Sequence, residues 1–338
     1  MTNFKPYIVL ATLLIVVTLL VPTMLVLPFS KEKASGKLGE QLQKQNDAVP
    51  TASNDSGVEV AVYRTSTKQM EQLPLEKYVT GVVAAEMPAD FEMEALKAQA
   101  LTARTYIVRQ ITTGDRVGLP AGADTSDTEF HQVFKNEVEL KELWGADYSW
   151  KMERVNKAVQ ETVGQILTYE GQPIEATFFS TSNGFTENSE DYWSNSFPYL
   201  RSVQSPWDKN SPKFSDQVIL PINEFERKLG VTVANKSEVG TITERTAGKR
   251  VGKVNISGKV LSGKEIREKL GLKSTDFSWT VKGNNIVIAT KGYGHGVGMS
   301  QYGANGMATE GKDYQQIVKH YYQGVEIAPS QNLLTAKK

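Results

Sequence analysis

Glu86 has the surroundings of a carboxylic acid that is kept protonated for use in catalysis. Apolar residues recur before it at helical spacing, at Leu75, Tyr78, Val79, Val82 and Val83. Glu86 takes the next position of this stripe, and Pro88 predicts that the helix ends there. Apolar neighbours and the negative end of the helix dipole both disfavour the anion, so we expect the raised pKa that a general acid near neutral pH requires. The alternative is a helix-end glutamate that turns toward solvent.

The composition excludes several other kinds of chemistry. The 338 residues include 38 basic and 38 acidic residues, and this balance gives no reason to predict a nucleic-acid partner. Cysteine is absent, which excludes disulfides, a thiol nucleophile and thiolate zinc sites. The three histidines, at positions 131, 295 and 320, form no close pair and no HExxH pattern. We therefore predict neither a metal site nor a cofactor.

An apolar segment near the N-terminus predicts a membrane anchor. Residues 7–29 carry no charge and consist mainly of Leu, Val, Ile and Thr, and about 20 such residues let a helix cross a bilayer. Pro22 is compatible with a kinked membrane helix. No clean small-residue cleavage site occurs near Phe29, so a single uncleaved transmembrane helix within residues 1–29 is favoured over a signal peptide.

The rest of the chain predicts a tether followed by an α+β domain. Residues 30–57 are polar and are expected to form a flexible linker. The later patterns contain no long βαβ series and no internal repeat, which favours an α+β fold with two lobes and a cleft. We place the Glu86 lobe at residues 58–165 and the second lobe at residues 166–328. Helices are predicted over 75–87, 94–109, 149–162, 222–229, 262–270 and 313–322. Strands are predicted over 58–62, 166–169, 174–179, 251–260, 279–281 and 286–288.

A glycine-rich segment near the C-terminus is the second candidate for chemistry. Residues 291–308 read KGYGHGVGMSQYGANGMA, and six glycines there indicate tight turns or close approach rather than an ordinary helix or strand. The spacing fits neither the dinucleotide fingerprint nor the P-loop, and Tyr302 breaks the Gly-x-Ser-x-Gly pattern. The segment either packs beneath the active site or in the core, or it contacts the substrate directly.

An aromatic segment precedes it. Residues 191–208 read DYWSNSFPYLRSVQSPWD, and such a mixture of aromatic, hydroxyl and charged side chains suits a glycan groove, because sugar rings stack on aromatic faces. The alternative is that Trp193, Tyr199 and Trp207 anchor a loop to the core.

Three segments in this order resemble the stage II sporulation protein D family. They are AAEMPADFEMEALKAQALTARTY (84–106), SVQSPWD (202–208) and GYGHGVGMSQYGANGMA (292–308), and they follow one apolar N-terminal segment. The resemblance extends from about residue 58 to residue 322. The last motif is highly specific to this family and its relatives, and the segment around Glu86 is nearly as specific.

The resemblance implies a membrane-anchored lytic transglycosylase of endospore-forming bacteria. Members of the family cleave peptidoglycan glycan strands during engulfment, when the mother-cell membrane moves around the forespore. They prefer strands already stripped of stem peptides by a partner amidase, stage II sporulation protein P, and stage II sporulation protein M recruits both. The domain is accordingly expected outside the cytoplasm, on the mother-cell membrane facing the septal space. The lysines at 31, 33 and 37 favour the opposite orientation, but only a very short tail precedes the anchor.

The resemblance also assigns site residues. The family's catalytic glutamate falls on Glu86, and family positions implicated in activity or substrate binding fall on Arg104, Tyr199, Arg201 and Asp208. Arg201 stands where a lysine can occur. Within the glycine-rich segment we expect His295, Ser300 and Gln301 to bind substrate.

Two departures from the family pattern matter. Some relatives bind zinc through cysteines near the position of His131, and this chain has no cysteine, so no zinc site is carried over. The usual Ser-Gly-Gly is here Ser182, Asn183 and Gly184, and Asn tolerates left-handed backbone geometry.

The resulting hypothesis needs only one carboxylate. Protonated Glu86 would donate to the oxygen between N-acetylmuramic acid and N-acetylglucosamine, and would then remove the proton of the muramoyl 6-hydroxyl, which closes on C1 as a 1,6-anhydro ring. Arg104 would hold a substrate lactyl carboxylate or orient Glu86. In the second role its charge would oppose the raised pKa, so direct contact between the two is not expected. The rivals are a hydrolase in which Asp208 or Glu187 activates water as a second carboxylate, and a non-catalytic glycan-binding scaffold.

Overall fold

The computed structural model describes residues 57–234 and 238–334. The predicted membrane anchor and the predicted linker up to residue 56 lie outside these residues. Across the described ranges, no helix combines the length and the apolar character that a bilayer crossing requires. The described part of the chain is a mixed α+β structure, as predicted.

The described helices alternate with short strands. In chain order the helices are α1 (Leu75–Glu86), α2 (Met93–Thr113), α3 (Glu137–Trp144), α4 (Tyr148–Gln160), α5 (Ser189–Tyr192), α6 (Ile222–Leu229), α7 (Gly263–Leu270), α8 (Gln301–Thr309), α9 (Tyr314–Tyr321) and α10 (Gln331–Leu334). Short 3-10 turns occupy Gly145–Asp147 and Pro206–Asn210.

The strands form small sheets rather than one large one. They are β1 (Glu59–Arg64), β2 (Gln69–Pro74), β3 (Thr125–Ser126), β4 (Gln165–Tyr169), β5 (Gln172–Pro173), β6 (Phe178–Phe179), β7 (Ser215–Pro221), β8 (Thr241–Arg245), β9 (Val251–Ile256), β10 (Lys259–Ser262), β11 (Asp276–Lys282), β12 (Asn285–Lys291), β13 (Met299–Ser300) and β14 (Glu326–Pro329). The strand orders are β2-β1-β3, β14-β4-β5, β13-β6, β11-β12-β7 and β10-β9-β8.

A hairpin leads directly into the helix that carries Glu86. β1 and β2 pair antiparallel, and α1 begins at the residue after β2 ends. The whole predicted apolar stripe of α1 is buried, because that face packs against α2 and α4. Met87 then takes an extended conformation before Pro88, which ends the helix where the sequence predicted.

The structure contains two hydrophobic cores. The first joins α1, α2 and α4 with α8 and α9, so it uses residues from 60 to 200 and again from 297 to 325. The second consists of residues between 220 and 288, from the sheets β11-β12-β7 and β10-β9-β8 with α6 and α7. The first core therefore takes residues from both sides of residue 165, and the predicted lobes 58–165 and 166–328 stay a prediction.

Three local predictions were wrong. Residues 251–260 form two strands, β9 and β10, because the chain turns at Ser257 and Gly258, both with positive φ. Most of 174–179 is irregular, and only β6 within it pairs with another strand. The second half of the glycine-rich segment is the helix α8, capped by the Ser300 hydroxyl, which accepts from Gly303 N–H.

Candidate functional site

Glu86 lines a cavity at the end of α1. The cavity has a volume of about 540 Å³, and residues 84–90 form one wall. The other wall comes from the end of α3 and the start of α4, with Lys213 from the segment before β7. Side chains on that wall are Leu143, Trp144, Asp147, Trp150 and Lys151. The last turn of α1 therefore faces a concave surface with two tryptophans, which is a shape that suits a sugar chain.

The Glu86 carboxyl group is poised to exchange a proton near neutral pH. The pKa of Glu86 is raised to about 7, mainly by burial and to a smaller extent by the nearby charge of Glu129, against the opposing effect of a hydrogen bond from the backbone of Val133. In that bond, the N–H of Val133 donates to Oε1 at 2.9 Å. This environment matches the predicted general acid and differs from that of a glutamate turned into solvent.

Gln301 holds the helix end that presents Glu86. Its Nε2 donates to the main-chain oxygen of Glu86 at 3.0 Å and lies 3.5 Å from Oε1 of Gln99 on α2. Gln301 is 7% exposed. The glycine-rich segment thus contacts the candidate catalytic helix through its backbone, and Gln301 positions Glu86 rather than pointing to the cavity.

Ser300 and Asp208 come together in a buried cluster. Asp208 is fully buried and accepts hydrogen bonds from the N–H and hydroxyl of Ser182 (2.7 and 2.8 Å), from Ser205 (2.5 Å) and from Ser300 (2.5 Å). Burial raises the pKa of Asp208, although these hydrogen bonds lower it. The cluster joins the SVQSPWD segment, the Ser182 turn and the glycine-rich segment, so these three motifs meet at one place in the fold.

Neither carboxylate suggested for a second catalytic role lines the cavity. Asp208 is committed to the serine cluster, and Glu187 is 2% exposed with Oε1 3.9 Å from a nitrogen of Arg250. The carboxylates that do line the cavity with Glu86 are Asp90 and Asp147. Hydrogen bonds from Trp150 and Lys151 lower the pKa of Asp147, so that carboxylate is ionised at neutral pH.

Arg104 lies in the interior, away from the cavity. Its side chain is fully buried, and its Nη2 is 2.6 Å from Oε2 of Glu76 at the start of α1. Nη2 also donates to the main-chain oxygen of Val159 at the end of α4, Nε donates to the Glu76 carboxylate, and Nη1 donates to the main-chain oxygen of Gln165 at the start of β4. All three nitrogens are therefore occupied, and the guanidinium group does not contact Glu86. In this structure Arg104 ties α1 to α2 and α4, and its predicted contact with substrate stays a prediction.

Tyr199 and Arg201 also make internal contacts. Tyr199 is 6% exposed, its hydroxyl accepts from the N–H of Glu175 at 3.0 Å, and its ring packs on Tyr169 and Phe197. Arg201 is paired with Glu190 at 2.5 Å and donates to the main-chain oxygen of Phe197. The aromatic residues of 191–208 pack against the first core, Trp193 and Trp207 among them, so this segment behaves as an anchored loop.

His295 is neutral and enclosed by aromatic rings. Burial lowers the pKa of His295 to about 3, and the charges of Arg267 and Arg250 add to this effect. Its Nδ1 accepts from the N–H of Val297 at 3.1 Å, and its ring lies 5.1 Å from that of Trp193. The geometry suits a packing role and provides no acid or base at neutral pH.

The glycines of residues 292–306 let neighbouring segments pack closely against the chain, both before α8 and within it. Gly296 has φ +91, and a Cβ there would lie 2.5 Å from Cζ of the buried Arg250. In α8, a Cβ on Gly303 would overlap Tyr321 and Ser205. The glycines are therefore a requirement of packing between the motifs, which is the first of the two interpretations that the sequence left open.

Sequence reasoning missed the far wall of the cavity. Residues 144–150 read WGADYSW, and the same argument that was applied to the aromatic stretch 191–208 would have selected Trp144 and Trp150. Lys213 carries no such signal. Within residues 57–234 and 238–334, no three or more His, Asp or Glu side chains come together in a way that could hold a metal ion.

Comparison with known proteins identifies the family. The sequence model of the stage II sporulation protein family SpoIID matches residues 63–169, which include helices α1 to α4. The sequence is 51% identical to stage II sporulation protein D of Bacillus amyloliquefaciens and 49% identical to stage II sporulation protein D of Bacillus subtilis (strain 168), in each case over 98% of both chains. The chain belongs to the stage II sporulation protein D family and is a sporulation protein.

A more distant relative carries a different name. The amidase enhancer of Bacillus subtilis (strain 168) is 29% identical over 73% of this chain, and the match covers 40% of that protein. The similarity therefore extends to a longer protein.

Proposed function

We propose that the protein is a peptidoglycan lytic transglycosylase that cleaves glycan strands between N-acetylmuramic acid and N-acetylglucosamine. The observation that carries this proposal is the position of Glu86, which lines a cavity together with two tryptophans and whose pKa is raised to about 7, mainly by burial. Such a group can give up a proton and take one back at neutral pH. The cavity wall offers aromatic faces for sugar rings and polar groups for their hydroxyls.

Glu86 acts first as an acid and then as a base. The protonated carboxyl donates to the glycosidic oxygen, the bond from that oxygen to C1 of muramic acid breaks, and the N-acetylglucosamine chain leaves. The carboxylate then removes the proton of the muramoyl 6-hydroxyl, and that oxygen bonds to C1. The product is a 1,6-anhydro ring, and Glu86 is protonated again, so no second carboxylate and no water are consumed.

The identity of the products tests the proposal. Strands stripped of stem peptides by an amidase are digested, and the fragments are analysed by mass spectrometry. We expect 1,6-anhydromuramoyl ends, lighter by one water than the reducing ends of a muramidase. Reducing ends would replace the proposal with a two-carboxylate hydrolase, for which Asp90 and Asp147 are the carboxylates in the cavity. Binding to the strands with no fragments released would leave a glycan-binding scaffold.

The rate of cleavage should fall as pH rises through neutrality. The first step needs protonated Glu86, and its pKa is about 7. We expect kcat/KM to stay level at acidic pH and to fall about tenfold per pH unit above about pH 7.5. Initial rates on soluble stripped strands between about pH 5 and pH 9 measure this. A rate that stays level to pH 9 would contradict the role of Glu86 as acid.

The cellular setting follows from family membership and from the predicted anchor. We place the enzyme on the mother-cell membrane during engulfment, with its domain in the septal space, working on strands stripped by stage II sporulation protein P and recruited by stage II sporulation protein M. The name of the relative called amidase enhancer supports a link to amidase action on the cell wall. Co-purification of the three proteins from sporulating cells tests this arrangement.

A further inference from the structure

Two lysines without a carboxylate partner flank one tyrosine beside the Glu86 cavity. Lys213 lines the cavity, and its Nζ lies 5.2 Å from the ring centroid of Tyr293. Nζ of Lys273 lies 5.3 Å from the same centroid. Both lysines are exposed, and within the described part of the chain neither forms an ion pair. By contrast, Lys151, which also lines the cavity, is paired with Asp147 at 3.2 Å.

Backbone hydrogen bonds fix the three residues relative to one another. The N–H of Gly292 donates to the oxygen of Phe214 at 2.7 Å, and the N–H of Gly294 donates to the oxygen of Lys273 at 2.9 Å. Tyr293 itself exchanges both of its main-chain hydrogen bonds with Thr181. The segments that carry Lys213 and Lys273 are thus joined to the residues on either side of Tyr293. The backbone positions from which both lysines extend are thereby fixed around Tyr293, and the ammonium groups lie over its ring.

We propose that Lys213 and Lys273, with Tyr293 between them, bind the free lactyl carboxylate of muramic acid and thereby select strands without stem peptides. This rests on the proposed function, because it takes muramic acid to be the sugar at the cavity. A muramoyl lactyl group carries a negative charge only when no peptide is attached, since the peptide is joined to it through an uncharged amide. Cation–π contacts with the Tyr293 ring hold the two ammonium groups near each other, and the lysines supply the charge opposite to that of the carboxylate.

The anion site also resolves a difficulty with the sequence prediction. The substrate carboxylate was assigned to Arg104 as one of two roles, and all three nitrogens of Arg104 are occupied by internal partners. Lys213 is the cation that both lines the cavity and has no carboxylate partner among the described residues. The role therefore passes from a buried arginine of α2 to an exposed lysine near the glycine-rich segment.

Lys213→Gln and Lys273→Gln variants test the inference on two probes. One probe is glycan strand stripped of peptides, and the other is the same strand with its lactyl carboxylates converted to methylamides. Binding is measured by co-sedimentation or calorimetry, and kcat/KM by fragment release. We expect wild-type protein to bind the carboxylate strand about 10- to 100-fold more tightly than the amide strand, and Lys213→Gln to lose most of this preference. Added salt should weaken the wild-type preference and affect the variant little.

Lys282→Gln is the matched control. Lys282 is an exposed lysine at the other end of the sheet β11-β12-β7, and it forms no ion pair among the described residues. Its replacement should leave the preference at the wild-type level. The inference is wrong if cleavage is seen but wild-type protein binds both strands equally tightly. It is also wrong if cleavage is seen and both lysine variants keep the full preference for the carboxylate strand. If the protein instead binds the carboxylate strand more tightly than the amide strand but cleaves neither, the proposed function is wrong and the anion site is still supported.

Discussion

A Glu86→Gln variant is expected to lose cleavage of stripped glycan strands by at least about 10³-fold and to keep its fold. The amide cannot donate the proton that the leaving sugar needs, nor remove the proton from the 6-hydroxyl. Because one group serves both steps, a single substitution removes both. Gln keeps the size of Glu, and its Oε1 can still accept from the N–H of Val133. Fragment release from soluble strands measures the loss.

The same variant should be at least as stable as wild-type protein. The pKa of Glu86 rises from 4.5 in the unfolded chain to about 7 in the fold, so the folded state disfavours the anion. Below about pH 4.5 both states are protonated, and wild-type stability is complete. As pH rises to about 7 that stability is progressively lost, by on the order of 1–3 kcal/mol, and the Gln variant does not share the loss.

Thermal unfolding at about pH 5 and pH 8 therefore separates catalysis from folding. We expect the Gln variant to unfold at a higher temperature than wild-type protein at pH 8 and to show a smaller difference at pH 5. Glu153→Gln, an exposed position on α4, is the control and should change neither activity nor this difference. A Gln variant that still releases fragments would remove Glu86 from the mechanism. If the Gln variant unfolds at a lower temperature than wild-type protein, its loss of activity is caused by loss of structure.

An Arg104→Met variant should cost about 3–5 kcal/mol of unfolding free energy. Its guanidinium group is fully buried, and its removal leaves the Glu76 carboxylate and the carbonyls at the end of α4 without their donor. The start of α1 would then be released from α2. We expect a fall in the denaturation midpoint and in the yield of folded protein, measured in urea by circular dichroism.

A second substitution distinguishes this structural role from substrate binding. Replacing Glu76 by Gln in the Arg104→Met background removes the uncompensated charge and should recover part of the stability. If Arg104 instead held the substrate carboxylate, the single variant would unfold like wild-type protein and show a raised KM. The glutamine at 76 would then have no effect on activity in that background.

Local sequence patterns correctly predicted the elements that depend least on contacts with residues distant in the sequence. The periodicity before Glu86 defined α1, and Pro88 defined its end, because both depend only on residues within a few positions. The glycine-rich segment was harder. Four of its glycines lie in turns, but Gly303 and Gly306 lie in α8, where they allow close approach to Tyr321 and Trp207. A glycine that serves packing cannot be told from one that serves a turn without knowledge of its partner.

In the candidate site, too, features that depend on nearby residues could be predicted and features that depend on distant residues could not. The raised pKa of Glu86 could be predicted because burial was implied by its own helix. The residues that complete the site come from distant parts of the chain, and their types gave no signal. Val133 contributes only its N–H, which every residue except proline carries, and Lys213 is a lysine in a polar stretch. Arg104 was placed in the site by resemblance, whereas the structure shows its charge satisfied by Glu76.

The hydrogen bond from Gln301 to the oxygen of Glu86 joins residues 215 positions apart. The bond therefore needs the chain as far as the glycine-rich segment, because its two ends lie in distant parts of the sequence. The region 63–169 recognised by the family's sequence model ends well before that glutamine. A truncated polypeptide that stops there would carry the acid without the amide that fixes its backbone. We therefore expect a polypeptide that ends before Gln301 to hold the end of α1 less firmly than the full chain does.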